Sequence, residues 1–210
     1  MTLPQPETLD AIYDLLTLTD KVFHAYSLGP DRVEDAMEMA RIGAGLTHAE
    51  FDEEPRMFTN INSSSPLKHD WPMLDGAMRL ARRRQPGIIA PFTLAGAMAP
   101  VTIVGSIVQQ TAECLAAVAL LEYITPGTPV VFGAFTSNVD MKSGSPAFGT
   151  PEYMRAMQIS GQMARFYKLP WRGSNANASN APDGQAIWES QNSLFSVLSG
   201  HCGVIFHAAG

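Results

Sequence analysis

Cysteine is scarce in this chain: Cys114 and Cys202 are the two among 210 residues, and each sits inside an apolar run. A pair so placed does not make the disulfide framework of a small secreted domain; it reads as reduced, buried thiols of a cytoplasmic protein. Charge is sparse as well, at 16 % of residues, and 14 basic against 20 acidic side chains give a formal −6. That balance argues against nucleic-acid binding, which calls for a basic face. Met1–Glu7 is polar and proline-bearing, so no signal peptide is expected. No run approaches the ~18 uninterrupted apolar residues of a membrane span, so no membrane association is expected either. The phosphate loops G-x-G-x-x-G and G-x-x-x-x-G-K-[ST] are missing, as are H-E-x-x-H, a C-x-x-C pair and a recognisable triad order. His24, His69, His201 and His207 show no ligand spacing, so no metal is expected. What is present is a hydrophobic share of 46 %, enough to bury the core of one large domain.

Short β-branched or aromatic runs alternate with amphipathic stretches. The predicted strands are Val22–Ser27, Met57–Asn62, Gly87–Phe92, Pro129–Phe135, Leu169–Ser174 and Gly203–His207. Between them the spacing predicts helices over Asp31–Gly43, Pro72–Arg84, Ile103–Tyr123, Pro151–Tyr167 and Asp183–Ser199, with Glu7–Leu18 ahead of the first strand. Asp31 is a candidate cap, and Thr150-Pro151-Glu152 places a hydroxyl before a first-turn proline. Asp75, Arg79, Arg82 and Arg83 share a face that reads as solvated, while Met154, Met157, Met163 and Phe166 are spaced to face a core. Successive strands begin 30 to 42 residues apart, a pitch that implies parallel strands with helical crossovers. With no phosphate loop, the expected α/β architecture is a (β/α)8 barrel, whose chemistry lies on the loops after the strands. Six strands in 210 residues fall short of a barrel's eight in ~250, so an incomplete barrel of about six βα units is expected.

The segments after the strands are polar or small: Ser63–Leu67, Thr93–Thr102, Thr136–Gly144 and Asn175–Gln185. In a barrel they meet at one mouth. That mouth is poor in acids and bases. Aromatic side chains converge on it: Phe92, Phe135, Trp171 and Phe206 on or beside strands, Tyr153 and Trp188 on helices. Aromatic faces without opposing charge suit an alkylammonium ion held by cation–π contact. The run from Ser174 to Asn180 offers neutral hydrogen-bond groups, Asn175 and Asn177 among them, or is simply a turn-rich loop. Asp140 braces a turn or touches substrate, and His207 is a core histidine or a mouth residue.

Several motifs run in one order over roughly residues 55–210: Ser65-Pro66-Leu67, Ala95-Gly96-Ala97, Ala99-Pro100-Val101-Thr102, Ala112-Glu113-Cys114-Leu115, Asp140-Met141-Lys142-Ser143-Gly144, Gly149-Thr150-Pro151-Glu152 and Pro182-Asp183-Gly184-Gln185-Ala186. Together they resemble the trimethylamine methyltransferase family. The resemblance implies a (β/α)8 barrel more than twice this length, making residues 1–210 a single partial barrel domain truncated at both ends. It implies methyl transfer from a methylated amine to the cobalt of a corrinoid (cobalamin) on a separate protein partner, with no cofactor bound directly by the enzyme. The nucleophile is then the reduced metal, and the enzyme positions an N-methyl group in a dry pocket.

Members of that family that use trimethylamine carry pyrrolysine in the loop before Pro-Asp-x-Gln-Ala; here that position falls on about Ala176 or Asn177. The resemblance therefore implies a glycine betaine-like quaternary amine, with trimethylamine or another methylamine as the alternative. Phe92, Phe135, Trp171, Arg172, Asn175, Asn177 and His207 are the expected substrate contacts, with Thr93, Asp140, Asp183 and Gln185 supporting the mouth. Arg172 and His207 are the candidates for a substrate carboxylate. Rival expectations are a barrel enzyme using Asp140 or His207 as general base, and a truncated homologue that only binds. A homo-oligomer is compatible with the apolar helices.

Overall fold

A computed structural model describes residues 6–26 and 29–207. In chain order the elements are α1 (Pro6–Leu18), β1 (Phe23–His24), α2 (Pro30–Gly43), α3 (His48–Glu53), β2 (Met57–Ile61), α4 (Trp71–Arg82), β3 (Gly87–Ile89), β4 (Leu94–Ala95), α5 (Ile103–Ile124), β5 (Val130–Gly133), β6 (Ser137–Asn138), α6 (Pro151–Phe166), β7 (Trp171–Ser174), α7 (Gly184–Ser199) and β8 (Val204–Phe206). All six predicted strands are present, shortened at their ends; Ser27, the last residue of the first, lies outside the described residues.

The main sheet has the order β1-β2-β3-β5-β7-β8, so its six strands lie side by side in the order in which the chain visits them. The pairings are parallel, with Phe23 opposite Met57, Phe132 opposite Trp171, and Arg172 and Ser174 opposite Val204 and Phe206. Sequential parallel order with a helix in each crossover is the topology of a (β/α)8-type barrel, here an incomplete one of six strands. A second, two-stranded parallel sheet pairs Leu94 with Ser137 and Ala95 with Asn138. The periodicity did not reveal β4 and β6, because two-residue strands inside polar loops carry no pattern. It missed α3 as well, although Thr47 and Glu50 form a complete capping box.

Local chemistry sets the helix ends. Thr150 caps α6 by accepting from the Tyr153 amide, and Asp183 caps α7 by accepting from the Ala186 amide. Asp31, in contrast, does not cap α2: Gly29 occupies that position, and Asp31 lies in the first turn beside the positive end of the helix dipole. On α4 the charged face is an ion-pair surface, Arg79 reaching Asp75 and Glu34 at 2.9 Å and Arg83 reaching Asp52. The expected apolar stripe of α6 is corrected. Met157 is buried, but Phe166 is exposed, and the inward face is Tyr153, Ala156, Met157, Ser160, Gly161 and Ala164. Small residues win there because the partner surface comes too close for methionine. A Cβ at Gly161 would lie 2.4 Å from the Gly200 carbonyl oxygen.

Contacts divide the chain into two compact units. The first comprises residues 1–61, 70–88 and 117–130. Its core gathers Ile12, Phe23, Val33, Met37, Phe51, Met57 and Leu80. Buried Gln85 ties it together, accepting from the Arg56 amide at 2.9 Å and donating to the Phe51 carbonyl at 2.8 Å. The second comprises residues 62–69, 89–116 and 131–210. It collects the segments that follow β2, β3, β5 and β7, together with α6, α7 and β8. The long helix α5, whose residues 103–116 belong to this unit, is by length and composition apolar enough to cross a membrane, with a mean hydropathy of 1.5 over 18 residues. Its polar Gln110 and Glu113 are nevertheless buried and hydrogen-bonded to protein groups, as in a helix packed on a core.

Candidate functional site

The second unit brings aromatic rings together where β3, β5 and β8 end. Phe92 stacks on Phe135 at 5.0 Å, and Phe135 stacks on Phe148 at 5.1 Å. His207, one residue past β8, stacks on Phe135 at 5.5 Å, and Phe148 meets Tyr153 edge-on at 5.6 Å. The three phenylalanines are only partly buried, so the cluster reaches the surface. Phe148 belongs to this cluster and sequence reasoning did not single it out; it sits in a loop ten residues beyond β6, where no periodic pattern marks it.

Arg172 completes the group. β7 alternates sides, so Trp171 turns toward α6 while Arg172 turns to the aromatic side. Its guanidinium carbon lies 4.1 Å from the Phe206 ring centre and 5.6 Å from that of Phe135. The side chain is 2 % exposed, its Nη1 donates to the Ala134 carbonyl at 3.2 Å, and its Nε has no partner. Burial pulls its pKa down to about 10, still well above neutrality. Next to it, the His207 Nδ1 and Ser174 hydroxyl are hydrogen-bonded at 2.5 Å, and the Ser174 carbonyl accepts from Tyr153 Oη at 2.7 Å. Burial, and then the Arg172 charge, hold the His207 pKa below the usual histidine range. That ring is therefore neutral at pH 7. No ion pair connects a carboxylate to this cluster among the described residues.

The remaining predicted residues hold the frame. Thr93 is fully buried and hydrogen-bonds Thr136; Thr136 donates to Gln110, whose amide donates to Ser160. That chain joins the loops after β3 and β5 to α5 and α6. Asp140 accepts from the Lys142 amide and the Ser143 hydroxyl, which lowers its pKa, so it braces a turn. Asp183 is a helix cap, and Gln185 donates to Glu189 at 2.8 Å. Asn175 is buried and satisfied by Ser190, whereas Asn177 lines an open cavity of about 480 Å³ with Asp140, Phe148, Gln185 and Glu189. Glu189 fixes the rim by accepting from the Ala178 and Ser179 amides.

Trp171 stands apart from this group. It is 3 % exposed, and a Cβ at Gly161 or Gly200 would come within 3.0 Å of its ring, so it is wedged against the α6 and α7 side as packing.

Glu113, quoted only within a motif, organises the segment after β2. Its carboxylate accepts from the Ser63 hydroxyl, from the Ser65 hydroxyl at 2.6 Å, and from the Leu67 amide and Gln109 side chain at 2.8 Å each. Burial pushes its pKa up, but these donations together outweigh burial and hold it below the usual glutamate range. Its signal in the sequence is an acid in the middle of a largely apolar helix, whose other acid, Glu122, lies in the last turn.

A sequence model described as trimethylamine methyltransferase (MTTB) matches residues 5–210. The chain is 37 % identical over 203 residues to the glycine betaine methyltransferase of Desulfitobacterium hafniense (strain Y51), covering 96 % of this chain and 42 % of that protein. It is 32 % identical over 159 residues to the proline betaine:corrinoid methyltransferase of Eubacterium limosum, covering 75 % and 33 %. Against the trimethylamine methyltransferase MttB of Methanosarcina barkeri (strain Fusaro / DSM 804) the identity is 28 % over 185 residues, covering 87 % and 37 %. The chain thus spans less than half the length of these relatives.

Proposed function

This chain belongs to the trimethylamine methyltransferase family, and from that premise we propose that it takes part in moving a methyl group from a glycine betaine-like quaternary amine to the Co(I) of a corrinoid protein. The observation that carries the reading is the stack of Phe92, Phe135 and Phe148, with no ion pair to it among the described residues; Asp140 and Glu189, which share a cavity with Phe148, are engaged with backbone amides. A quaternary ammonium is attracted to ring faces. A full opposing charge would stabilise the cation more than the transition state, in which that charge is leaving, and so would slow transfer. Phenylalanine rings can hold the ammonium without supplying a counter-charge.

In the step itself the N–CH3 bond would break with its electron pair on nitrogen, giving a neutral tertiary nitrogen, while Co(I) of the acceptor would supply the pair for the new bond to the methyl carbon and be oxidised formally to Co(III). No proton moves, which matches a site whose one imidazole, His207, is neutral and already hydrogen-bonded to Ser174. The chain's contribution is orientation and exclusion of water. The relatives named for betaines and for trimethylamine support a methylated-amine substrate, and the aromatic stack favours the quaternary class.

The test supplies cob(I)alamin with glycine betaine, trimethylamine or carnitine in turn and follows methyl-cobalt formation by absorbance. Methyl-cobalt from glycine betaine is expected. Formation from trimethylamine alone, or from none of the three, overturns the assignment.

A further inference from the structure

Among the described residues, the Arg172 guanidinium is a buried cation without a counter-ion. It is 2 % exposed, makes one hydrogen bond, to the Ala134 carbonyl, and leaves Nε without an acceptor. A guanidinium has five N–H donors, and a buried charge is costly unless it is paired. The rings of Phe206 and Phe135 cover it at 4.1 and 5.6 Å, but ring faces accept no full hydrogen bond. Its other neighbours do not solve the problem: Ser174 is engaged with His207 and Tyr153, and His207 is itself a neutral ring. The residue is therefore poised for an anion that the described residues do not supply.

Resting on the quaternary-amine reading of the same site, we infer that Arg172 is a specificity-determining residue that receives the carboxylate of the substrate. Phe135 carries the geometry. One ring lies 5.6 Å from the guanidinium carbon, 5.0 Å from Phe92 and 5.1 Å from Phe148. A molecule with an ammonium and a carboxylate a few bonds apart can lay its cation on the phenylalanines and its anion on Arg172. A cation lacking the carboxylate meets an uncompensated positive charge instead, so the arrangement selects for zwitterions and against choline-like or simple amine cations.

Equilibrium binding to the 210-residue protein tests this without methyl transfer. Three ligands are titrated by calorimetry: glycine betaine; choline, which replaces the carboxylate by an alcohol; and 3,3-dimethylbutyrate, which replaces the ammonium nitrogen by carbon. A charge-assisted pair contributes about tenfold or more in affinity, so glycine betaine should bind at least about tenfold more tightly than choline. Arg172→Met should bring glycine betaine down to the choline level, and Arg172→Lys should recover part of the preference. Equal binding of glycine betaine and choline to the wild-type protein overturns the assignment while leaving the quaternary-amine site standing. Binding of 3,3-dimethylbutyrate as tight as glycine betaine, with choline weak, supports Arg172 but removes the ammonium reading. No binding by any of the three overturns both. The wild-type series decides the question even if the variants do not fold.

Discussion

Glu113 offers the sharpest check on the packing logic, because its four donors differ in kind. Oε1 receives the Leu67 amide and the Gln109 side-chain amide, which only donate; Oε2 receives the Ser63 and Ser65 hydroxyls, which can also accept. A glutamine can therefore keep its oxygen on the Leu67 side and turn its NH2 toward the two hydroxyls. What it loses is charge assistance, partly offset by the relief of no longer burying an anion, for a net cost of about 1 kcal/mol. Alanine strands the donors. The two serines can bond each other, being 3.1 Å apart, and the Gln109 amide keeps its bond to the Met98 carbonyl at 2.9 Å, but the Leu67 amide and the second Gln109 N–H lose their acceptor. At ~1–3 kcal/mol for each unmade bond, with partial access of water, Glu113→Ala should cost about 2–4 kcal/mol.

The assay is urea unfolding at pH 7, comparing midpoints with the slope unchanged, repeated down to pH 3. The folded pKa of Glu113 is lowered, so its contribution is complete above the unfolded value of about 4.3 and is lost as pH falls through the folded value. The gap between wild type and Glu113→Gln should accordingly shrink below about pH 4. A glutamine variant as unstable as the alanine variant, or a gap that persists unchanged to pH 3, refutes the network as drawn.

Phe135→Ala should weaken glycine betaine binding by about tenfold, as expected for losing a desolvated cation–π face, while Phe135→Tyr retains most of it; calorimetry with unchanged affinity in the alanine variant removes the stack from the site. Trp171→Ala should lower stability by about 3–5 kcal/mol and leave the betaine-over-choline preference intact; a stable variant with altered preference would move Trp171 back to the binding surface. Burial pushes the Cys114 thiol up to about 12, so Ellman's reagent at pH 8 should spare it in the native protein and modify it after urea unfolding. Rapid native labelling of Cys114, located by peptide mapping, would contradict the packing of α5 on β3.

Six strands, six of the seven helices and the parallel order were legible because each reports a local rule: β-branched runs, 3.6-residue stripes, caps, and a repeat of 30 to 42 residues. Where two elements press together, the local rule failed. The inner face of α6 is small because Gly200 and Trp171 crowd it, and its apolar spacing alone put Phe166 on the wrong side. At the site, Phe92, Phe135, Arg172 and His207 were nameable from their places at strand ends, and the structure brings those four together. Asp140 and Asp183 turned out to serve their own loops, as short acids beside free amides commonly do.

Chain order and residue chemistry alone settled the parallel α/β topology and a strand-end surface rich in rings and poor in acids. They were silent on which way each β7 side chain turns. Adjacent residues on a strand point to opposite faces, and only the packing of α6 and Gly200 decided that Trp171 takes one face and Arg172 the other. The charge that finds no counter-ion among the described residues, and the tether of Glu113 on a distant loop, exist only in three dimensions. Neither a missing partner nor a long-range one is written in the residues around it.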